Sequence, residues 1–203
     1  MSLKIAYLTG QYPRATDTFI QREVLGLRHL GLDVTTFAIR KPVTDRLVGP
    51  EQQAEQAQTF YILPPNLLLL VASHLHLLFR SPRNYCQALK LALQTSQPGI
   101  KGILFQLFYF LEAGILARRL QRRHITHLHN HIATSSCTVA MLAAALGGIT
   151  FSFTLHGPHI FFEPMRWRLD EKIRRAKFVA CISYFSRSQG MIFVRPEYWP
   201  KMP

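Results

Sequence analysis

Most histidines of this chain lie between residues 124 and 159. His127, His129 and His131 alternate, so they share one face of a β-strand, in a spacing typical of metal ligands. Strand residues two apart are however separated by about 7 Å, and three of them do not converge easily on one ion. The neighbouring sequence supplies no Asp, Glu or Cys. We therefore predict no metal site and interpret these side chains as core or cleft histidines.

His156 is the stronger candidate for a functional side chain. It follows an apolar, strand-like run that ends at Leu155, and it precedes Gly157 and a proline, which are turn formers. A histidine in such a loop is available to a ligand, whereas a histidine that only caps the strand is the structural alternative. The chain offers no competing catalytic pattern: Ser135 and Ser136 lack a nucleophile elbow, and no lysine lies in a phosphate-binding loop.

Gly10 and Gln11 directly follow the first apolar segment of the chain. A glycine at this point lets backbone amides approach a phosphate or a sugar at a helix N-terminus. The Gly-x-Gly-x-x-Gly pattern of dinucleotide-binding proteins is absent, so an ordinary strand-to-helix turn is an equally good interpretation.

Strands and helices alternate at both ends of the chain. Strands are predicted at 4–8, 33–39, 59–63, 125–130, 150–155 and 178–182. Between the first two, a helix begins near a predicted capping box of Thr18 and Gln21, and the unit implies a parallel crossover. We predict an α/β domain: a Rossmann-like, doubly wound parallel sheet of about six strands with helices on both faces. Its ligands would bind at the carboxyl ends of the strands, which brings Gly10, His131 and His156 to one cleft.

The segment from 66 to 123 is helical throughout and reads as three helices divided near 81–82 and 97–99. It carries eight basic residues against one acid, Glu112, and is rich in Leu and Phe. This pairing of apolar and cationic side chains predicts binding to an anionic membrane surface, with a cluster at Arg118, Arg119, Arg122 and Arg123. A buried helical pair with a basic solvent face is the alternative. Polar residues interrupt each apolar run, so we expect no membrane-spanning helix.

Charge and cysteine content limit the partner and the compartment. The 203 residues carry 24 Lys and Arg against 11 Asp and Glu, a formal net charge of +13, which favours an anionic partner. A nucleic acid is disfavoured because no aromatic residues alternate with basic ones along a strand. Three widely spaced cysteines in apolar stretches, Cys86, Cys137 and Cys181, are typical of buried thiols in a reducing compartment. We expect a cytoplasmic location at the inner face of the cell membrane.

Several short stretches carry a resemblance to a known family. They are 4–13 (KIAYLTGQYP), 18–23 (TFIQRE), 127–131 (HLHNH), 151–157 (FSFTLHG), 178–183 (FVACIS) and 187–189 (RSQ). Together they resemble the N-terminal half of the family 4 retaining glycosyltransferases. The similarity is greatest to the branch that builds bacterial exopolysaccharides of the colanic-acid type.

This resemblance implies a fold and a set of roles. The family has two facing Rossmann-like domains (the GT-B fold), and residues 1–203 would form the acceptor-side domain with a basic helical insertion at about 66–123. Gly10, Gln11, His131 and Gly157 would bind substrate, and His156 would hydrogen-bond the transferred sugar. The site would hold no metal and no cofactor, since the nucleotide sugar is the donor substrate. The acceptor would be lipid-linked or a growing polysaccharide.

The donor nucleotide of the family is held in the C-terminal domain, partly by two glutamates with seven residues between them. Glu163 and Glu171 have this spacing, but the intervening residues include no glycine that would let backbone approach a diphosphate, so we interpret it as coincidence. We expect the C-terminal domain to be missing and the chain to be inactive alone. The alternative is a non-catalytic, truncated or split half that binds the membrane surface or a separately encoded C-terminal partner.

Overall fold

Six parallel strands form one sheet in a computed structural model that describes residues 4–42 and 49–203. The strands are β1 (Lys4–Gln11), β2 (Asp33–Arg40), β3 (Phe60–Leu63), β4 (His127–His131), β5 (Thr150–Leu155) and β6 (Val179–Cys181). Their order is β3-β2-β1-β4-β5-β6, so the chain moves outward from β1 and then returns to the other side of it. This is the order of a doubly wound sheet, and it confirms the predicted fold class.

Helices cover both faces of the sheet. They are α1 (Thr18–His29), α2 (Pro50–Gln58), α3 (Leu67–Arg80), α4 (Pro82–Gln94), α5 (Ile100–Arg122), α6 (Ser135–Gly147), α7 (His159–Phe162), α8 (Leu169–Arg175) and α9 (Tyr184–Ile192). The helix α1 packs on one face through Ile20 and Val24, in a small core with Tyr7. The larger core lies on the opposite face, where α6 is buried along nearly its whole length beneath α4 and α5.

The start of α1 differs from the predicted one, whereas α9 has a side-chain cap. Ser183 caps α9 by accepting a hydrogen bond from the Ser186 amide, as its type and position indicate. The capping box at Thr18 does not form, because a 3-10 turn at Ala15–Asp17 leads directly into α1 and takes the place of an extended N-cap. Between β2 and β3, α2 begins at Pro50; positions 43–48 lie outside the described residues.

One face of β4 and β5 is polar although most of it is buried. Three pairs of adjacent residues share this face: His127 with Thr150, His129 with Ser152, and His131 with Thr154. Residues directly opposite each other on neighbouring strands point to the same side of a sheet. The alternation predicted from the sequence is therefore correct, and it places three imidazoles beside three hydroxyl groups.

Within the described residues, α5 is the one helix long and apolar enough to cross a membrane. In its most apolar stretch 44% of residues are buried, against α6 and α3 among others. The core helix of a globular domain meets the same criterion, so this is weak evidence for a membrane span. The cysteines are all free, and Cys137 is buried as expected, but Cys86 is exposed because it lies on the outer side of α4.

Candidate functional site

The imidazoles of β4 are held by hydroxyl groups of β5. We call His127, His129 and His131, with the β5 hydroxyls that bond the first two, the histidine ladder. Ser152 Oγ lies 2.8 Å from both His127 Nε2 and His129 Nδ1. The outer nitrogens of this pair are bonded as well, His127 Nδ1 to Thr150 Oγ1 at 2.7 Å and His129 Nε2 to Thr154 Oγ1 at 2.9 Å. Ser152 has one proton to donate, so the tautomers of the two rings are coupled.

The ladder is neutral at physiological pH. Burial, reinforced by neighbouring imidazoles, lowers the pKa of His129 to about 3 and that of His131 to about 2. The ring of Phe178 stacks over His127 and His129, with centroid distances of 5.8 and 6.1 Å, and helps to exclude water from them. A neutral imidazole offers one donor and one acceptor, which the hydroxyl pairs match.

His131 and His156 lie side by side at the carboxyl ends of β4 and β5. His131 Nδ1 is 3.1 Å from His156 Nε2, so these two of the three residues predicted for one cleft are neighbours, while Gly10 is not among their contacts. The other nitrogen of His131, Nε2, is buried, makes no hydrogen bond to the described residues and lies 3.5 Å from Glu23 Oε2. Glu23 Oε1 in turn accepts a hydrogen bond of 2.6 Å from the hydroxyl of Tyr7. Sequence reasoning missed Glu23, because only the packing of α1 on the sheet brings it to β4.

Glu23, His129 and His131 place potential metal ligands within 4.8 Å of one another. Both ring nitrogens of His129 are already bonded to hydroxyl groups, so it has no free lone pair to offer without breaking the ladder. His131 Nε2 and the exposed Glu23 carboxylate are then the only free donor groups of the three residues, which is too few to hold a metal ion.

A small cavity of about 210 Å³ lies where β1 meets the start of α6. We call it the strand-end cavity; its lining includes Gly10, Gln11, Thr9 and Ser136. Thr9 Oγ1 and Ser136 Oγ are buried and have no hydrogen-bond partner in the described part of the chain. Arg14 and Asp17, which form an ion pair at 2.7 Å, line the same cavity. With the two free hydroxyls and a helix N-terminus they form a polar lining that can bond a sugar or its phosphate.

Lys172 of α8 fixes the loop that connects β4 to α6. Its side chain is fully buried, and Nζ donates hydrogen bonds of 2.8 Å to the carbonyl oxygens of Ala133 and Thr134. Burial lowers the pKa of Lys172 to about 8. The sequence gives no sign of this role, since Lys172 is one of many cations in a basic segment. It is a positioning residue for the loop between His131 and Ser136.

A larger cavity of about 740 Å³ opens on the other side of Gly10 and Gln11. We call it the helical cavity, because α3 and α5 form one wall and the carboxyl ends of β1, β2 and β3 form its floor. The wall is apolar and includes Leu70, Phe105 and Phe108, which α3 and α5 contribute. Gly10 and Gln11 line both cavities and so lie between them.

Glu112 is the acidic side chain of the helical cavity. It is 9% exposed, and no described residue bonds its carboxyl group or forms an ion pair with it within 4 Å. Burial raises the pKa of Glu112 to about 7, and the nearby guanidinium of Arg40 opposes that shift. The signal in the sequence is that Glu112 is the only acid between residues 66 and 123.

The predicted site residues are thus brought together in part. His131 joins His156, and Gly10 joins Gln11, but His156 and Gly157 line neither of the two cavities. A side chain at Gly10 would meet no atom within 4 Å, so the fold itself does not require glycine there. Glu163 and Glu171 bond arginines of their own segments, at Arg166 and at Arg174, which agrees with a coincidental spacing.

The four arginines predicted to contact a membrane lie at the C-terminal end of α5, and they differ in their surroundings. Arg119 places its guanidinium 3.6 Å from the centre of the Phe60 ring, and Arg118 bonds the carbonyl of Ala72. Arg122 and Arg123 are exposed. The exposed Phe105 lies 17 residues before Arg122, about 25 Å along the helix axis, so the cationic and apolar groups occupy opposite ends of α5.

Comparison with known proteins adds no family to this geometry. Neither a scan of protein-family models nor a search of curated proteins finds a match to this chain.

Proposed function

We propose that this chain is the acceptor-side domain of a retaining glycosyltransferase, which moves a sugar from a nucleotide sugar to a lipid-linked or polysaccharide acceptor. The observation that carries the proposal is that two cavities lie on either side of Gly10 and Gln11, at the carboxyl edge of a doubly wound sheet. A transferase needs two binding sites that meet at one point, where the sugar leaves one molecule and joins the other. The resemblance of 4–13, 127–131 and 151–157 supports the same function.

In this proposal the strand-end cavity faces the donor. Thr9 and Ser136 supply free hydroxyls, and the amides at the start of α6 supply a positive potential for a sugar phosphate. Lys172 holds the loop that presents Ser136. No step of this binding uses a metal.

His156 is positioned by a chain of side chains that reaches back to α1. The carboxylate of Glu23 favours the tautomer of His131 with its proton on Nε2, because the two atoms are 3.5 Å apart. His131 Nδ1 then accepts the proton of His156 Nε2 at 3.1 Å, which leaves His156 Nδ1 as an acceptor. In the role that the resemblance implies, His156 would accept a hydrogen bond from a hydroxyl of the transferred sugar, with Glu23 and His131 as positioning residues.

The donor nucleotide is held by a second domain in the family that this sequence resembles, and we propose the same arrangement here. The second domain would lie in the same chain or in a separately encoded partner. Without it, residues 1–203 are expected to show no sugar transfer, because the groups that stabilise the leaving diphosphate would be absent.

The first test is the change His156→Ala in a preparation that supplies both domains. We expect turnover to fall by about tenfold to a thousandfold, the range for loss of one preorganised polar contact. Release of the nucleoside diphosphate measures it. The matched control is His29→Ala, since His29 is exposed at the end of α1 and far from the site. Unchanged turnover in the His156 variant would make His156 a histidine that only caps β5.

A second candidate is a non-catalytic domain that binds the inner surface of the cell membrane or a separate C-terminal partner. The observation that favours it is the set of exposed apolar side chains on α3 and α5, such as Leu68 and Phe108. The same assay separates the two functions. A non-catalytic domain shows no turnover when both domains are supplied, whether His156 is present or replaced by alanine.

A further inference from the structure

The helical cavity combines an apolar wall with one buried carboxyl group that nothing in the described chain bonds. We propose that it binds the sugar end of a lipid-linked glycan, with sugar hydroxyls at Glu112 and the lipid chain along Phe105 and Phe108. This inference deepens the proposed function and rests on it in one respect: it makes the bound molecule the acceptor. Binding itself does not depend on transfer.

The carboxyl group of Glu112 argues for hydroxyl groups in the cavity. Glu112 lines the cavity, is 9% exposed and is bonded by no described residue, so a ligand in the cavity can bond its carboxyl group. An anionic headgroup is a poor match, since it would lie against the carboxylate. Hydroxyls donate to a carboxylate and are neutral, so a sugar suits Glu112 better than a phosphate does.

The floor of the cavity offers further polar groups at the same end. Gln11 and Arg40 come from the carboxyl ends of β1 and β2, and Ser135 comes from the first turn of α6. An amide, a guanidinium and a hydroxyl supply both donors and acceptors, as recognition of a sugar requires. These groups lie beside Gly10, where the strand-end cavity begins. A sugar in this position would face the proposed donor site.

The wall of the cavity argues for an apolar chain attached to that sugar. Phe105 and Phe108 line the cavity and are 59% and 60% exposed, so they continue from its interior to the protein surface. Leu67 and Leu68, at the start of α3, extend the apolar surface and are 70% and 82% exposed. A free polysaccharide has no lipid chain to contact this apolar surface, whereas a lipid chain that leaves the cavity would lie on it.

The volume agrees with a ligand of this kind. About 740 Å³ falls within the range of about 300–1,000 Å³ that is usual for small-molecule sites. This is room for a sugar and the first part of a chain, while the rest of the chain would remain on the exposed side of α3 and α5. The same surface would then rest on the bilayer that supplies the lipid.

The test measures binding of decyl maltoside to the chain by calorimetry, below the concentration at which the detergent forms micelles. Maltose lacks the chain, and decyl phosphate replaces the sugar by an anion. We expect decyl maltoside to bind at least tenfold more tightly than either. Equal binding of maltose would show that the chain is not recognised, and equal or tighter binding of decyl phosphate would show that the polar end is not a hydroxyl site; either result overturns the proposal.

Two variants locate the site. Glu112→Gln is expected to weaken decyl maltoside binding about tenfold, because it removes the carboxylate that accepts from the sugar hydroxyls. Phe108→Ala is expected to weaken it by a similar factor, because it removes apolar surface that contacts the lipid chain. Glu197→Gln is the matched control, since Glu197 is exposed and paired with Arg195 far from the cavity. Far-ultraviolet circular dichroism shows that each variant is folded. Binding unchanged by both variants, or a dimer that covers α3 and α5 and excludes the detergent, would overturn the proposal.

Failure of this inference is distinguishable from failure of the proposed function. Loss of turnover in the His156 variant supports transfer whatever binds the helical cavity. Binding of decyl maltoside at Glu112 supports the sugar site even if no donor is ever turned over.

Discussion

The histidine ladder and the helical cavity both contain buried titratable side chains, which differ in whether they have hydrogen-bond partners. In the ladder both nitrogens of His127 and of His129 have a hydroxyl partner on β5. In the cavity the carboxyl group of Glu112 has none in the described chain. A polar group matched inside the protein contributes to the fold, whereas one that lines a cavity without a partner is available to a ligand. Burial alone therefore does not identify a functional residue; its hydrogen bonds do.

The largest expected effect is the loss of folding stability in acid that is caused by His129. His129 has a pKa of about 3 in the fold, below its ordinary 6.5, so the unfolded chain binds the proton first. The contribution of neutral His129 to the free energy of unfolding is present above pH 6.5. It is lost at about 1.4 kcal/mol per pH unit as the pH falls toward 3. Between pH 6.5 and 4, His129→Gln should remove roughly 3 kcal/mol of this pH dependence. Urea unfolding at several pH values measures it.

The comparison for that experiment is His29→Gln, which changes an exposed histidine. The pH profile of the His129 variant is compared with that of this control, in which the ladder and every carboxylate are unchanged. If the two profiles run parallel, the ladder is not neutral in the folded state and the proposed match of donors and acceptors is wrong.

Glu112 should behave in the opposite sense. Its pKa is about 7 in the fold against an ordinary 4.5, so the folded chain holds the proton more tightly than the unfolded chain does. The loss of folding stability caused by ionising Glu112 begins as the pH rises above 4.5 and is complete above 7. Glu112→Gln should therefore stabilise the chain by about 3 kcal/mol at pH 8 and by almost nothing at pH 4. Thermal or urea unfolding at both pH values decides the matter, and a loss of stability at pH 8 would contradict it.

The smallest expected effect compares two buried serines. Ser152 bonds two imidazoles, so Ser152→Ala leaves two buried ring nitrogens without a partner and should cost about 1 kcal/mol or somewhat more. Ser136 is as deeply buried but has no partner in the described residues, so Ser136→Ala should be neutral within about 0.5 kcal/mol. Equal destabilisation by the two changes, measured by urea unfolding, would remove the distinction between matched and unmatched groups.

Periodicity and turn residues were sufficient to predict the strands, their parallel arrangement and the three helices between 66 and 123, because these features depend on local pattern. The pairing of His131 with His156 was predictable for a similar reason, since the carboxyl ends of parallel strands meet at one edge. Glu23 and Lys172 were not, because α1 and α8 carry them to the site from distant positions. Glu112 stood out in the sequence, but only packing shows that it faces a cavity.

Gly10 and Gln11 form the wall that the strand-end cavity and the helical cavity have in common. A molecule in one cavity therefore touches the boundary of the other. If filling the first changes the affinity of the second by some factor, thermodynamic reciprocity requires that filling the second changes the affinity of the first by the same factor. Binding of the proposed donor would then change the affinity for the proposed acceptor, and the reverse. A substitution at Gln11 would change both affinities together.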